Sequence, residues 1–164
     1  MRTFNSRPTG ELLTELLAVC AVPAWATAVA AGRPYPSKDA ALAAADSAAR
    51  QLSWAEVLQG LSAHPRIGER AAGDSHEAAW SRREQSAAAA SADEVTRAAL
   101  VEANRAYEQR FGHVFLIFAS GRSQAEILAA ARERLGHDEP AEHAIVADEL
   151  RKIALLRLER LLGS

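Results

Sequence analysis

At 164 residues with a formal net charge of −2, the chain offers no electrostatic reason to bind nucleic acid or an anionic membrane. Apolar residues make up 49% and aromatics 5%, with alanine abundant, a composition suited to closely packed helices in one domain. The single cysteine, Cys20, excludes an intrachain disulfide framework and any multi-cysteine metal site.

Met1 to Pro8 is polar, and the first apolar segment carries Glu11 and Glu15, which is not the pattern of a secretory signal. No uninterrupted apolar run approaches membrane-spanning length, so a cytoplasmic protein is expected. Thr9 is expected to cap a helix with Leu12, Leu13, Leu16, Leu17 and Cys20 on its apolar stripe. Pro23 suits the first turn of a second helix, which passes through Trp25 and Val29 and stops at Gly32. After the stiff connector Arg33-Pro34-Tyr35-Pro36, Ser37 caps a third helix with Leu42, Ala45, Ala49 and Leu52 inward. Ser53 and Glu56 form a capping-box pair for a short fourth helix.

That helix must end before Ala63-His64-Pro65-Arg66-Ile67-Gly68-Glu69. Pro65 lacks an amide hydrogen and pushes His64 into an extended conformation, while Gly68 permits angles other residues avoid. The result is an imidazole held on a stiffened corner, a candidate acid or base; the plain alternative is a helix-ending histidine bonded to a nearby carbonyl. A further helix is expected from about His76 to Ala89. Ser91 and Glu94 pair at the start of the next, with Leu100, Ala103, Asn104, Tyr107 and Phe111 on one stripe and Gly112 closing it. Val114 to Ala119 has the length and residue types of a strand but no partner strand, so it reads as an extended segment buried among helices. Ser123 and Glu126 cap a helix ending at Gly136. The last helix begins near Pro140, with Val146, Ala147, Leu150, Ile153, Ala154 and Leu161 inward. The expected fold is all-α: one domain over residues 1–164, a bundle of about eight helices with a buried extended segment near 114–119.

Two helices carry polar groups that packing alone does not explain. Ser81, Glu84 and Gln85 stand at i, i+3 and i+4 and share a face, from which Arg82 and Arg83 point away. A solvated helix face is the plain alternative there. Counting 100° per residue from Leu150, Arg157 falls about 20° from the centre of the apolar stripe. A buried guanidinium needs a partner: an internal carboxylate, or an anionic ligand in a cavity that it lines.

Spacing argues against a metal. His76-Glu77-Ala78-Ala79-Trp80 has Trp80 where a zinc-protease motif needs its second histidine, and His137 and His143 are six apart. No glycine-rich phosphate loop and no strained serine turn is present.

Taken together, Ala63-His64-Pro65-Arg66-Ile67-Gly68, Ser81-x-x-Glu84-Gln85 and Asn104-x-x-Tyr107 with Arg110-Phe111-Gly112-x-x-Phe115 resemble the OHCU decarboxylase family. Pro23-x-Trp25, Gly121-Arg122-Ser123, Glu149-x-x-Lys152-Ile153 and Leu156-Arg157-Leu158 extend the resemblance over essentially the whole chain. These enzymes convert 2-oxo-4-hydroxy-4-carboxy-5-ureidoimidazoline (OHCU) to (S)-allantoin in purine breakdown. The resemblance implies an all-helical fold, no cofactor or metal, and a homodimer. His64 matches the catalytic histidine, Pro65 a neighbour contacting substrate, and Ser81, Glu84 and Gln85 the polar binding set. Glu84 would orient the substrate or tune His64. Phe115, Leu116, Ile117, Phe118 and Ala119 match a segment offering backbone groups to the ligand, and Arg157 an arginine in the pocket. One departure is His113, where the family more often has an aromatic residue.

The residues alone leave other functions open. A His/Glu/Arg pocket could activate water in a cofactor-free hydrolase of a neighbouring ureide. A helical interaction module would need Arg157 only as an internal ion-pair partner. A helix-turn-helix regulator fits least, since no helix gathers Arg or Lys with base-reading side chains on one face.

Overall fold

The computed structural model describes residues 1–66 and 94–163. Among them are eight helices and no strand, the all-helical architecture expected. In chain order they are α1 (Arg2–Ser6), α2 (Thr9–Val19), α3 (Pro23–Ala31), α4 (Lys38–Arg50), α5 (Trp54–Leu61), α6 (Glu94–Phe111), α7 (Gln124–Arg134) and α8 (Glu139–Gly163). The expected helix at 76–89 and its polar face, and the Ser91 cap, lie outside the described residues. The chain forms two compact units: Met1–Ala63 with Ala147–Ser164, and His64–Val146.

In the first unit, α2 packs on α3 and α3 on α4. Leu12, Leu16, Val19, Trp25 and Val29 are buried, as their helical spacing requires. The Trp25 indole donates to the Ala45 carbonyl at 3.1 Å, which satisfies its buried N–H. Pro23 opens α3 and Gly32 ends it. Ser37 accepts from the Ala40 amide, and Ser53 with Glu56 forms the expected reciprocal box. At Gly60, a Cβ would stand 2.9 Å from Val22 Cγ2 and 3.1 Å from Leu150 Cδ2, so this contact of α5 with the inner face of α8 requires glycine.

Several local expectations change. Residues 2–6 are helical, with Phe4 buried, where only a polar lead-in was expected. Thr9 does not cap α2: Pro8 holds the N-cap position, and the Thr9 hydroxyl accepts from Arg33 Nη2 at 3.0 Å. The buried positions of α4 are Ala41 and Ala45, while Leu42, Ala49 and Leu52 are half-buried, so the inner stripe is rotated toward the smaller residues. On α8, Val146, Leu150, Ile153 and Ala154 are buried as expected, but Ala147 and Leu161 are half-buried.

In the second unit, α6 packs on α7 around a core of Leu100, Ala103, Tyr107, Phe115, Ile117, Ala119, Ile127, Leu128 and Ala131. Gly112 closes α6 at φ +79°, a left-handed conformation that side chains resist. Ser123 and Glu126 cap α7 reciprocally. Residues 114–119 between them form neither helix nor strand, and Phe115, Leu116, Ile117 and Ala119 are buried.

Candidate functional site

The corner forms where the proline and its neighbours dictate. α5 ends at Leu61, Ser62 and Ala63 turn, and His64 and Pro65 follow outside the helix, both half-buried. Arg66 grips Glu108 of α6 with two parallel contacts, Nε to Oε1 at 2.6 Å and Nη2 to Oε2 at 3.2 Å. This planar fork fixes direction as well as distance, so it tethers the chain two residues after His64.

Within residues 114–119, membership of the α6–α7 core alternates. Phe115, Ile117 and Ala119 join the α6–α7 core, a two-residue period that only a stretched backbone can produce. These three side chains are therefore packing groups, and what those residues can present is backbone. Its carbonyls are partly occupied: Val114 O contacts His113 Nδ1 at 3.0 Å, Leu116 O accepts from Arg134 at 2.6 Å, and Ala119 O accepts from the Arg122 amide at 3.1 Å. No N–H of residues 115–119 meets an acceptor among the described residues. Buried amides normally do, and a row of them is a site for oxygen-rich ligands. The departure at His113 is mild in effect. Its ring lies edge-on to Tyr107 at 5.4 Å and stacked on Phe111 at 6.2 Å, occupying an aromatic position.

Behind the segment lies a charged cluster that the sequence reading missed. Arg134 and Glu142 are 5% and 0% exposed. Arg134 Nε donates to Glu142 Oε1 at 2.6 Å, its Nη2 also pairs with that oxygen, and its Nη1 reaches Leu116 O. The guanidinium carbon sits 4.6 Å from the Phe115 ring centre. Tyr107 donates to Glu142 Oε1 at 2.6 Å, and His137 Nδ1 lies 3.2 Å from Oε2. Burial pulls the Glu142 carboxyl upward, but the hydrogen bonds from Arg134 and Tyr107, the Arg134 charge and the His137 contact outweigh it and hold it below the ordinary carboxylate value. Burial, then the Glu142 hydrogen bond, pushes the Tyr107 phenol well above its usual value, so it stays a donor. The signal was available. Seven residues after Ile127, Arg134 falls about 20° from that buried position, the same offset that singled out Arg157.

Arg157 is 1% exposed on α8, as its place on the apolar stripe requires, and Nη1 donates to the Val19 carbonyl at 3.4 Å. It belongs to the first unit, whereas His64, Pro65 and residues 115–119 belong to the second. Ser81, Glu84 and Gln85 lie outside the described residues. Among the described residues, no group of three or more His, Cys, Asp or Glu is placed to hold a metal ion.

This all-helical fold, with a stretched buried segment between capped helices, is that of a known carboxy-lyase. A crystal structure of OHCU decarboxylase in the presence of (S)-allantoin superposes on 92% of the chain and 98% of its own, with a TM-score of 0.79 and 31% identity. Residues 5–159 match the family described as OHCU decarboxylase. The uric acid degradation bifunctional protein TTL of Arabidopsis thaliana is 35% identical over 145 residues, 87% of this chain. The chain spans 44% of that protein's length. The 2-oxo-4-hydroxy-4-carboxy-5-ureidoimidazoline decarboxylase of Haloferax volcanii is 35% identical over 130 residues, 77% of this chain and 73% of that one. The chain belongs to the OHCU decarboxylase family.

Proposed function

We propose that this protein decarboxylates OHCU and delivers (S)-allantoin, with residues 1–164 working as one decarboxylase domain and His64 as the acid/base. The observation that carries the reading is the family match over residues 5–159, joined to a solved relative that covers 92% of the chain. The geometry is in keeping with it through the unused amides of residues 115–119 and the proline-stiffened corner at His64.

The chemistry asks for little more. C4 of the substrate carries a hydroxyl and a carboxylate and adjoins a ring C=N bond. When the bond from C4 to the carboxylate breaks, carbon dioxide leaves and the electron pair flows toward the imine, whose nitrogen takes a proton. The resulting enol loses its hydroxyl proton, and C5 gains one on a single face to give the ketone. A fixed imidazole can carry that proton traffic, typically a gain of about 10²–10⁴-fold. In this reading Pro65, Ser81 and Gln85, with the backbone of Phe115, Leu116, Ile117, Phe118 and Ala119, hold the ring and the ureido arm. Glu84 orients the hydroxyl or tunes His64, and Arg157 grips an oxyanion or a carbonyl pair. No step needs a cofactor.

The test is circular dichroism of freshly generated substrate with and without the protein, beside detection of carbon dioxide and ammonia. We expect rapid growth of one allantoin enantiomer with carbon dioxide. Release of ammonia without carbon dioxide would instead establish a ureide hydrolase. The same reading includes a homodimer and a cytoplasmic location, which sedimentation and cell fractionation test. No helix among the described residues is long and apolar enough to cross a membrane.

A further inference from the structure

A buried guanidinium with a buried carboxylate is costly to keep. An apolar pair of similar volume often leaves a protein equally or more stable, so retention of the charges asks for another reason. Here the reason lies in where the third arm of Arg134 goes. One edge of the guanidinium is occupied by Glu142, and the Phe115 ring lies against its carbon. Glu142 is itself fixed by Tyr107 and His137. The remaining nitrogen, Nη1, donates to the carbonyl of Leu116, in the middle of the stretched segment, at 2.6 Å. A charge-assisted bond of that length holds a carbonyl firmly.

The peptide between Leu116 and Ile117 is planar, with its C=O and N–H pointing in opposite directions. Fixing the Leu116 oxygen toward Arg134 therefore turns the Ile117 N–H away from the ion pair, and that N–H meets no acceptor among the described residues. Ile117's side chain, 3% exposed, is already committed to the core, so this peptide can be tilted without moving a side chain into the site.

We propose that Arg134 is a positioning residue of the reaction, which sets the Leu116–Ile117 peptide so that the Ile117 N–H is aimed at the substrate. Glu142 holds Arg134 in that role. The proposal rests on the reading that residues 115–119 face the ligand, and its test separates the two. The probe is (S)-allantoin, followed by the ¹⁵N–¹H signal of Ile117 and by titration. The variants are Arg134→Lys, which keeps charge but loses the fork, and the double change Arg134→Met with Glu142→Leu, which strands no charge.

In the wild-type protein the Ile117 signal should shift on binding. In folded variants it should shift little, with affinity about tenfold weaker, as expected for losing one well-placed donor. An Ile117 signal that ignores (S)-allantoin in the wild type overturns the reading of the segment. A signal that responds equally, at equal affinity, in wild type and Arg134→Lys overturns the positioning role and leaves that reading standing. Should both Arg134 variants unfold, Glu142→Gln, which frees the guanidinium without emptying its place, carries the same comparison.

Discussion

His64 and Arg157 carry opposite expectations at the scale of the single residue. His64 is half-buried on a corner outside any helix, so His64→Asn should leave the melting temperature near that of the wild type and remove nearly all turnover. A folded variant with normal rates would end the acid/base assignment. Arg157 is buried on a helix face, and truncating a buried, paired arginine strands its partner at a cost of about 3–5 kcal/mol. We expect Arg157→Lys to fold nearly normally and to lose kcat/KM, because lysine keeps the charge but not the planar fork. Melting and steady-state kinetics on one preparation decide it: early unfolding would assign Arg157 to the core. Glu84→Gln should damage turnover far more than Arg82→Ala or Arg83→Ala, since helical spacing in the sequence would put Glu84 alone of the three on a face with Ser81 and Gln85. Equal losses would mean that the face is misassigned.

At the scale of the element, what could be read from sequence was what is written locally. Ser53 with Glu56 and Ser123 with Glu126 lie within one turn, and both boxes form. Thr9 failed as a cap because its hydroxyl is taken by Arg33, 24 residues away, which no local pattern announces. The inner face of α4 was misplaced because alanine suits surface and interior alike, so leucine drew the stripe toward itself. Arg134 and Glu142 were passed over because charged residues on amphipathic helices are usually solvated, although their register placed them inward. His64 and residues 114–119 were legible because proline, and a short apolar run bounded by glycines, interrupt helical periodicity outright. Gly60 gives an element-scale prediction. Gly60→Ala gains helix propensity, about 1 kcal/mol, yet drives a methyl to 2.9 Å from Val22 Cγ2, and overpacking costs about 1–3 kcal/mol. Valine is stiff at χ1 and gives little, so denaturant melts should show net destabilisation. A more stable variant would mean that the contact relaxes freely.

For the molecule as a whole, the buried carboxylate sets an acid limit. Glu142 is held below the ordinary carboxylate value in the folded protein, so the unfolded chain binds its proton more readily. Its contribution is fully present above the unfolded value, about 4.3, and is lost as pH falls through the folded one. The stability gap between wild type and Glu142→Gln should therefore narrow as pH drops below about 4, read from urea melts at stepped pH. A gap that stays constant would show that folding leaves the proton affinity of the Glu142 carboxyl unchanged.

The division of the chain also bears on how the protein is made. Residues 64–146 form one unit without interruption, whereas the other unit needs residues 1–63 and 147–164 together. The bond from Arg151 to Asp46 spans 105 positions, and the one from Arg157 to Val19 spans 138. On the ribosome, residues 1–63 cannot complete their unit until residues 147–164 have been translated. The inserted unit, residues 64–146, is complete before the last segment of the other is made, so it can fold before the unit whose synthesis began first.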